Sequence, residues 1–327
     1  MRVLSGVQSS GKLHLGNYLG ALKQHLELQA EHECFYFIAN YHALTSVHDA
    51  ELMRQQTLDV ALDYLALGLD PARAALYRQT DLPEVCELAW ILGCVTGKGL
   101  LERAVSYKDK TEKGLPASMG LFTYPVLQAA DILILSSDFV PVGKDQVQHI
   151  EMTQDMAGYF NNTFAGGEEV LKRPEARLNQ AMVVPGIDGQ KMSKSYGNAI
   201  ELFDTPKATR KRIMSIVTDS TPVEDPKDPE QCNVFAILSL MASPEECAEW
   251  AQRYRAGGMG YGDVKKRVHE LFEVTFAEPR ERRAELARDL DAVEDVLMAG
   301  AAKARAVAEP LMERVREVCG LLRGKVE

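Results

Sequence analysis

A doubly wound, parallel α/β sheet followed by an α-helical region is what this sequence predicts, on three observations. Short β-branched and aromatic runs alternate with helical periodicity through the first half. Strands separated by helices pair in parallel, through right-handed crossovers. After about Ser195 the strand signals stop, and capped helical patterns follow one another to the end. The 327 residues leave room for about two domains, and the change of pattern divides them into residues 1–198 and 199–327.

The elements follow in order. Val3–Val7 is a first apolar strand, and the small-residue loop Gln8-Ser-Ser-Gly-Lys12 comes after it. Helical spacing runs from Asn17 to about Gln29, Phe35–Ala39 is a second strand, and Asp49 and Gly68 bracket the next helix with cap chemistry. Ala75–Arg78 is a third strand, after which Asp81 and Pro83 open a helix. Phe139–Val142 is a fourth strand leading into a helix near Asp145–Phe160, and Met182–Val184 is expected as a fifth. In the second half, Asp204-Thr-Pro206 caps a helix and Ser243-Pro-Glu-Glu246 reads as a capping box. Helices are expected over Asp263–Phe276, Pro279–Met298 and Ala301–Leu322, broken by Pro279 and Gly300. The stretch from Asp219 to Pro229 is a polar, proline-rich loop.

Composition narrows the function classes. Hydrophobic residues at 46% and charged residues at 26% exclude a disordered or collagen-like chain. No apolar run approaches the roughly 18 residues of a membrane span, and the opening MRVLSGVQSS lacks the flanks of a signal peptide. Cys34, Cys86, Cys94, Cys232, Cys247 and Cys319 form no CxxC pair, which fits reduced thiols in the cytoplasm better than a disulfide or zinc framework. A net charge of −10 argues against indiscriminate nucleic-acid binding while leaving room for a local basic face.

The first strand-to-helix turn carries two candidate motifs. Gly6, Gly11 and Lys12 fit the spacing G-x-x-x-x-G-K of a phosphate loop, but Leu13 stands where that motif places a magnesium-binding hydroxyl. His14-Leu-Gly-Asn17 lies just before the helix, where backbone N–H groups and a partial positive charge suit a phosphate. Gly16 allows close backbone approach, and His14 could donate to a phosphate oxygen as charge builds there. Alone, this tetrapeptide also reads as a tightened turn with a surface histidine. Far downstream, Lys191-Met-Ser-Lys-Ser195 follows the turn Pro185-Gly-Ile-Asp-Gly189. Two lysines three apart on such a loop make a cationic clamp able to follow a departing pyrophosphate, which is catalysis by position and charge.

HxGN after the first strand and KMSKS after the last together resemble the signature pair of the class I aminoacyl-tRNA synthetases. Gly16-Asn-Tyr-Leu-Gly20, Tyr124-Pro-Val-Leu-Gln-Ala-Ala-Asp131, the stretch from Val140 to Glu151 and Ile216-Val-Thr-Asp-Ser220 are similar to the tryptophanyl branch of that family, along nearly the whole chain. The resemblance implies a Rossmann-like catalytic domain, then a helical domain on the anticodon side of the tRNA whose last helix returns to the catalytic domain. It implies activation of tryptophan by Mg·ATP and transfer to the terminal ribose of tRNA(Trp), by a cytoplasmic homodimer. It brings no permanent metal; the closely spaced cysteines with which some relatives hold an iron–sulfur centre have no counterpart here.

Site residues are carried over position by position. The ATP contacts implied are Gln8, Ser9 and Ser10 in the first loop, Gly16 and Asn17 at the helix start, and Gly143, Lys144 and Asp145 after the fourth strand. Met182 is expected at the adenine edge, and Lys191, Met192, Ser193, Lys194 and Ser195 around the triphosphate. His14, Lys191, Lys194 and Ser195 form the expected catalytic set, while Lys108 and Lys110 stand as added charge or as solvated lysines. For the amino acid, Pro125 suits a helix start, and Tyr124, Gln128 and Asp131 then follow at i, i+4 and i+7 on one face of an apolar helix. A carboxylate buried there needs a partner, which the residues alone leave open between a neighbouring backbone group, a lysine and a ligand. The family makes Asp131 the acceptor of the indole N–H, with Tyr124, Gln128 and Gln146 at the α-amino group or its surroundings and Gly6, Val140 and Val142 as further tryptophan-binding residues.

Two departures stand out. Gln128 replaces a methionine common in bacterial members and matches the Tyr-x-x-x-Gln-x-x-Asp arrangement of tyrosyl enzymes; Ser9 replaces a common proline. A tyrosyl-type or relaxed-specificity enzyme therefore stays as an alternative, as does a paralogue with a partner-binding role. For tRNA, Lys207, Arg210, Lys211, Arg212, Lys265, Lys266, Arg267, Arg280, Arg282 and Arg283 are the cations available to phosphates.

Overall fold

The structure is a computed structural model that describes residues 1–9, 11–104, 118–178 and 184–322, and of Ser195 the backbone only. Five strands, β1 (Arg2–Val7), β2 (Glu33–Ile38), β3 (Ala74–Arg78), β4 (Phe139–Val142) and β5 (Glu175–Leu178), form one sheet. Their order is β3-β2-β1-β4-β5, and every pairing is parallel. The doubly wound α/β reading therefore holds, with one shift: the fifth strand is Glu175–Leu178 rather than Met182–Val184. Val184 lies outside any strand, and the rest of that expected strand, Met182 included, falls outside the described residues.

Side chains alternate along the strands and make a core on each face of the sheet. On β2, Cys34, Tyr36 and Ile38 enter one core while Phe35 and Phe37 enter the other. Such two-sided burial is what a parallel sheet between helical layers requires. The first core runs on without a break through Met192 of the lysine loop into Ile200, Ile213, Val234, Phe272 and Phe276 of the helical half.

Helix α1 begins with Leu15–Asn17, widens through a π-type turn at Tyr18–Leu22 and ends with Lys23–Leu28. It is followed by α2 (Asn40–Ala43), α3 (Ala50–Ala66), α4 (Glu84–Val95), α5 (Lys98–Leu101), α6 (Met119–Leu133) and α7 (Val147–Phe164). The helical half contains α8 (Pro206–Met214), α9 (Asn233–Ser239), α10 (Pro244–Ala256), α11 (Tyr261–Leu286) and α12 (Leu290–Val318). Asp49 caps α3 by accepting from the Leu52 N–H at 2.8 Å, and Thr205 with Pro206 opens α8 as the sequence suggests.

Local rules fail where packing outweighs them. Asp81 opens no helix; its carboxylate binds the Arg78 backbone and guanidinium instead. Ser243 caps α10, but Glu246 reaches Arg267 and Trp250 rather than closing a capping box. Pro125 lies inside α6, which starts at a Ser118 cap. Pro279 lies inside α11, just past the fully buried Phe272 and Phe276. An interior proline costs about 3 kcal/mol, and burying two such rings is worth at least as much at about 1.5–3 kcal/mol each. Gly300, expected as a break, lies inside α12 where the helix meets β3: a Cβ there would sit 2.0 Å from the Leu76 carbonyl oxygen. The helices separate instead between Ala287 and Asp289. Among the described residues, no helix is long and apolar enough to cross a membrane.

Candidate active site

The strand order reverses between β1 and β4: the chain runs outward from β1 through β2 to β3, then returns to β4 and β5. In open parallel sheets, ligands bind beyond the carboxyl ends of the strands at such a switch point. Here that crevice receives the loop from Gln8 to His14 after β1 and the turn from Gly143 to Gln146 after β4.

His14 is buried and caps α1 reciprocally with Asn17: its Nδ1 accepts from the Asn17 N–H at 3.3 Å, and the Asn17 Oδ1 accepts from the His14 N–H at 3.1 Å. Burial, aided by the nearby Lys194 charge, pushes the imidazole pKa down to about 4. The ring is therefore neutral near pH 7, and with Nδ1 accepting, its proton is on Nε2. The backbone around it is fixed by Leu15 N–H donating to the Ile200 carbonyl at 2.8 Å and Leu202 N–H to the Leu13 carbonyl at 3.1 Å. The HLGN turn is thus paired with the segment just after KMSKS. Gly16 completes the junction: its N–H lies 3.3 Å from the Met192 sulfur, and a Cβ would meet the His14 ring at 2.9 Å. This corrects one expectation, since the N–H groups of Leu15, Gly16 and Asn17 are engaged within the chain rather than open to an anion.

The lysine loop is a short hairpin, in which Met192 N–H donates to the Val184 carbonyl at 2.9 Å. Asn198 staples its far end, donating to Asp188 and to the Lys191 carbonyl and accepting from the Ser193 N–H. Arg212 holds the exit by donating to the carbonyls of Gly197 and Ala199. Lys191 is exposed, Met192 is buried in the core, and Lys194 lies over Gly11, with its Nζ 3.5 Å from where a Gly11 Cβ would be. Loss of hydration lowers the Lys194 ammonium to about 8, against the pull of Asp63 and Glu201.

Beside this junction is a cavity of about 350 Å³ lined by Gly6, Gln8, Phe37, His42, Tyr124 and Gln128, with Val140 also on its wall. Gly6 lets the Phe37 ring lie against the β1 backbone: a Cβ would fall 2.5 Å from that ring and push it aside. Asp131 lies behind the wall, buried, where its carboxylate accepts from His42 Nε2 at 3.0 Å and from Gln79 Nε2 at 2.9 Å. Burial raises its pKa even with those two donors pulling the other way. The Tyr124 hydroxyl is 2.5 Å from His149 Nε2, whose imidazole is lowered by burial.

Of the residues singled out from sequence, the structure gathers Gly6, Gln8, Tyr124, Gln128 and Val140 on one cavity, and Asp131 through His42. Val142 is buried in the core on the same face of β4. Gln146 donates to Asp145 at 3.2 Å and is not on the cavity wall; Lys144 and Asp145 are exposed at the turn. Ser9 is buried, and Gln56 of α3 holds its carbonyl and the Gly11 N–H at 2.8 and 3.2 Å in the amide orientation that satisfies both. Ser10, Lys108, Lys110, Met182 and the Ser195 side chain lie outside the described residues. Sequence reasoning missed His42, Gln79, Gln56 and Asn198. The signal for the first two was position: each closely follows the carboxyl end of a parallel strand, β2 or β3.

The cations expected to meet tRNA divide in two. Arg212, Lys265, Lys266, Arg267, Arg280, Arg282 and Arg283 are engaged with carbonyls or carboxylates of the chain. Lys207, Arg210 and Lys211 stand on the exposed face of α8.

Comparison with known proteins agrees with this geometry. Residues 1–277 match the family model described as tRNA synthetases class I (W and Y). A tryptophan–tRNA ligase from Rhodopirellula baltica is 53% identical over 98% of this chain and 100% of its own; one from Fusobacterium nucleatum is 49% identical over 98% of each. A crystal structure of tryptophanyl-tRNA synthetase from Campylobacter jejuni, complexed with ADP and tryptophan, superposes with a TM-score of 0.91 at 50% identity, covering 98% of this chain and 100% of that one.

Proposed function

The chain belongs to the class I tRNA synthetases of the tryptophan and tyrosine group, and from that premise we propose that it is a tryptophan–tRNA ligase. It activates L-tryptophan with ATP, releasing pyrophosphate, and transfers the tryptophanyl group to tRNA(Trp). The observation that carries the reading is the junction of His14, Gly16, Met192 and Lys194 beside an aromatic-sized cavity backed by one buried carboxylate. The tyrosyl alternative gives way, because the full-length relatives named above are tryptophan enzymes.

In the first step a tryptophan carboxylate oxygen bonds to the α-phosphorus of Mg·ATP while the bond to the bridging oxygen breaks and pyrophosphate leaves. Magnesium enters with its nucleotide. The neutral His14 donates from Nε2 to a phosphate oxygen, and Lys194 and Lys191 meet the charge gathering on the leaving group. Gln8, Ser9, Ser10, Asn17, Gly143, Lys144, Asp145, Met182, Ser193 and Ser195 complete the nucleotide site. The indole N–H is read by Asp131, shared with or taken over from His42, with Tyr124 and Gln128 near the amino group. A buried acceptor of this kind rejects phenylalanine far more strongly than an apolar slot would. In the second step a hydroxyl of the tRNA terminal ribose attacks the adenylate carbonyl and AMP leaves.

We assign activation to residues 1–198 and the anticodon side of the tRNA to 199–327, with α12 returning to β3 and Lys207, Arg210 and Lys211 offered to phosphates. The enzyme works in the cytoplasm as a homodimer. A second copy would cover the apolar groove of Ala89, Trp90, Val126 and Leu127, where Trp90 is 77% exposed. ATP–pyrophosphate exchange with each of the twenty amino acids tests the activity: tryptophan alone is expected to drive it, and exchange with tyrosine or with none would overturn the reading.

A further inference from the structure

At the carboxyl ends of β2 and β3, one buried side chain joins the acceptor of the amino-acid cavity to the backbone beside it. Gln79, 1% exposed, directly follows β3 and uses both ends of its amide. Its Oε1 accepts from the backbone N–H groups of Tyr41 at 3.0 Å and His42 at 3.4 Å. These are the second and third residues of α2, whose first turn receives no side-chain cap from Ala39. Gln79 supplies, from the neighbouring strand end, the acceptor that a capping residue would give. Its Nε2 donates to both oxygens of Asp131, each at 2.9 Å. Turning the amide over would set its oxygen against a carboxylate and its N–H groups against two others, so the partners fix the orientation.

Asp131 has few acceptor sites to divide, since an ionised carboxylate offers about four. Gln79 takes one on each oxygen and His42 Nε2 takes a second on Oδ2 at 3.0 Å, which leaves capacity on Oδ1. An indole N–H can use that site or displace His42 from Oδ2, and the amide of Gln79 is the donor that stays in both cases. Donors to a buried carboxylate favour its charged form and offset the loss of hydration. A second tie lies beside this one: Asn40 Nδ2 donates to Thr80 Oγ1 at 2.8 Å, and the Thr80 N–H donates to Asn40 Oδ1 at 3.2 Å. The two strand ends therefore stay joined without Gln79. What Gln79 adds is its hold on Asp131 and on the backbone of His42.

We propose that Gln79 is a positioning residue for tryptophan specificity, holding the Asp131 carboxylate and the His42 backbone in one arrangement so that an acceptor stands ready for the indole N–H. This rests on the assignment of Asp131 to that N–H. Gln79 is not on the cavity wall, so it acts through Asp131 and His42 rather than by touching the substrate.

A cycle between residue and substrate tests it. Pyrophosphate exchange is measured in wild type and in Gln79→Met with tryptophan and with its benzothienyl analogue, in which sulfur replaces the indole N–H. Wild type is expected to prefer tryptophan in the ratio of kcat/KM values. Gln79→Met should shrink that ratio about tenfold, through a higher KM for tryptophan, with KM for ATP unmoved. A merely structural role would lower exchange with both substrates by one factor, so an unchanged ratio in Gln79→Met overturns the proposal. A wild type without preference would instead overturn the assignment of Asp131, and this proposal with it. Should Gln79→Met fail to fold, Gln79→Glu keeps the length and an acceptor for the α2 N–H groups. Two adjoining carboxyls share a proton, which replaces the donor that Asp131 has lost. Raising the pH from about 7 to about 9 draws that proton off, so the ratio should fall in this variant and stay level in wild type. Titration of Lys194 acts on both substrates and cancels in the ratio. A ratio level in both proteins overturns the proposal.

Discussion

The backbone N–H of Gly16 lies 3.3 Å from the sulfur of Met192, so two segments 176 residues apart in sequence meet at the width of one hydrogen bond. No atom of a residue-16 side chain fits between them. A Cβ would stand 2.9 Å from His14 Nδ1 and 3.3 Å from the Met192 Cβ. Gly16→Ala is therefore expected to push the lysine loop off the HLGN turn and reduce pyrophosphate exchange about a hundredfold, comparable to losing one transition-state donor. Tryptophan binding, followed by fluorescence titration, should stay within a fewfold of wild type.

His14 acts as a neutral donor in this account, because burial holds its pKa at about 4. Replacing it by alanine should lower kcat for adenylate formation by about a hundredfold or more. An acid limb in the wild-type profile near pH 6.5, absent from the variant, would show a histidine titrating in the ordinary range and would contradict the buried, Nε2-protonated ring.

Lys194 gives the opposite limb. Its ammonium is present below a pKa of about 8 and is lost as pH rises through that value, so kcat/KM for ATP should fall on the alkaline side from about pH 8. In Lys194→Arg the guanidinium keeps its charge, and the fall should move well above pH 9. A limb that stays in place in this variant belongs to another group.

At the amino-acid cavity, Asp131→Asn leaves one acceptor oxygen where two now meet His42 and Gln79. The KM for tryptophan is expected to rise at least tenfold, and preference over phenylalanine, read from the ratio of kcat/KM values, should narrow more than any change in ATP kinetics. Gln128→Met, on the cavity wall but away from the acceptor, should change tryptophan exchange by no more than a fewfold.

A stability test lies far from the chemistry. Gly300→Ala places a methyl 2.0 Å from the Leu76 carbonyl oxygen, which belongs to a strand and has little room to yield. Overpacking of this kind costs about 1–3 kcal/mol, and thermal unfolding should show Tm lowered by several degrees. An unchanged Tm would mean that α12 is more loosely seated on β3 than the contact implies.

What the sequence made legible was whatever local chemistry dictates. The Asp49 and Thr205 caps, the alternating β2 side chains and the two signature loops are written in consecutive residues. Prolines and glycines misled where a tertiary contact outweighed propensity: Phe272 and Phe276 anchor the helix that carries Pro279, and Gly300 marks a close approach rather than a break. At the site, the predicted residues that line the cavity were identifiable, but the groups that hold them were not. His42 and Gln79 come to Asp131 from other strand ends, and Asn198 is a single residue whose three bonds to the lysine loop exist only after the hairpin closes.

The seating of α12 also sets an order of events during synthesis. Arg78 at the end of β3 and its partner Glu294 on α12 are 216 residues apart. A ribosome therefore exposes this edge of the sheet long before the helix that shields it has been made. Nascent chains in that interval carry an unshielded apolar strand edge, the kind of surface that chaperones bind and that aggregates recruit. For this protein, a chain cut ahead of Glu294 lacks the contacts that close this edge of the sheet, so truncation before α12 should yield an insoluble fragment rather than a weakened enzyme.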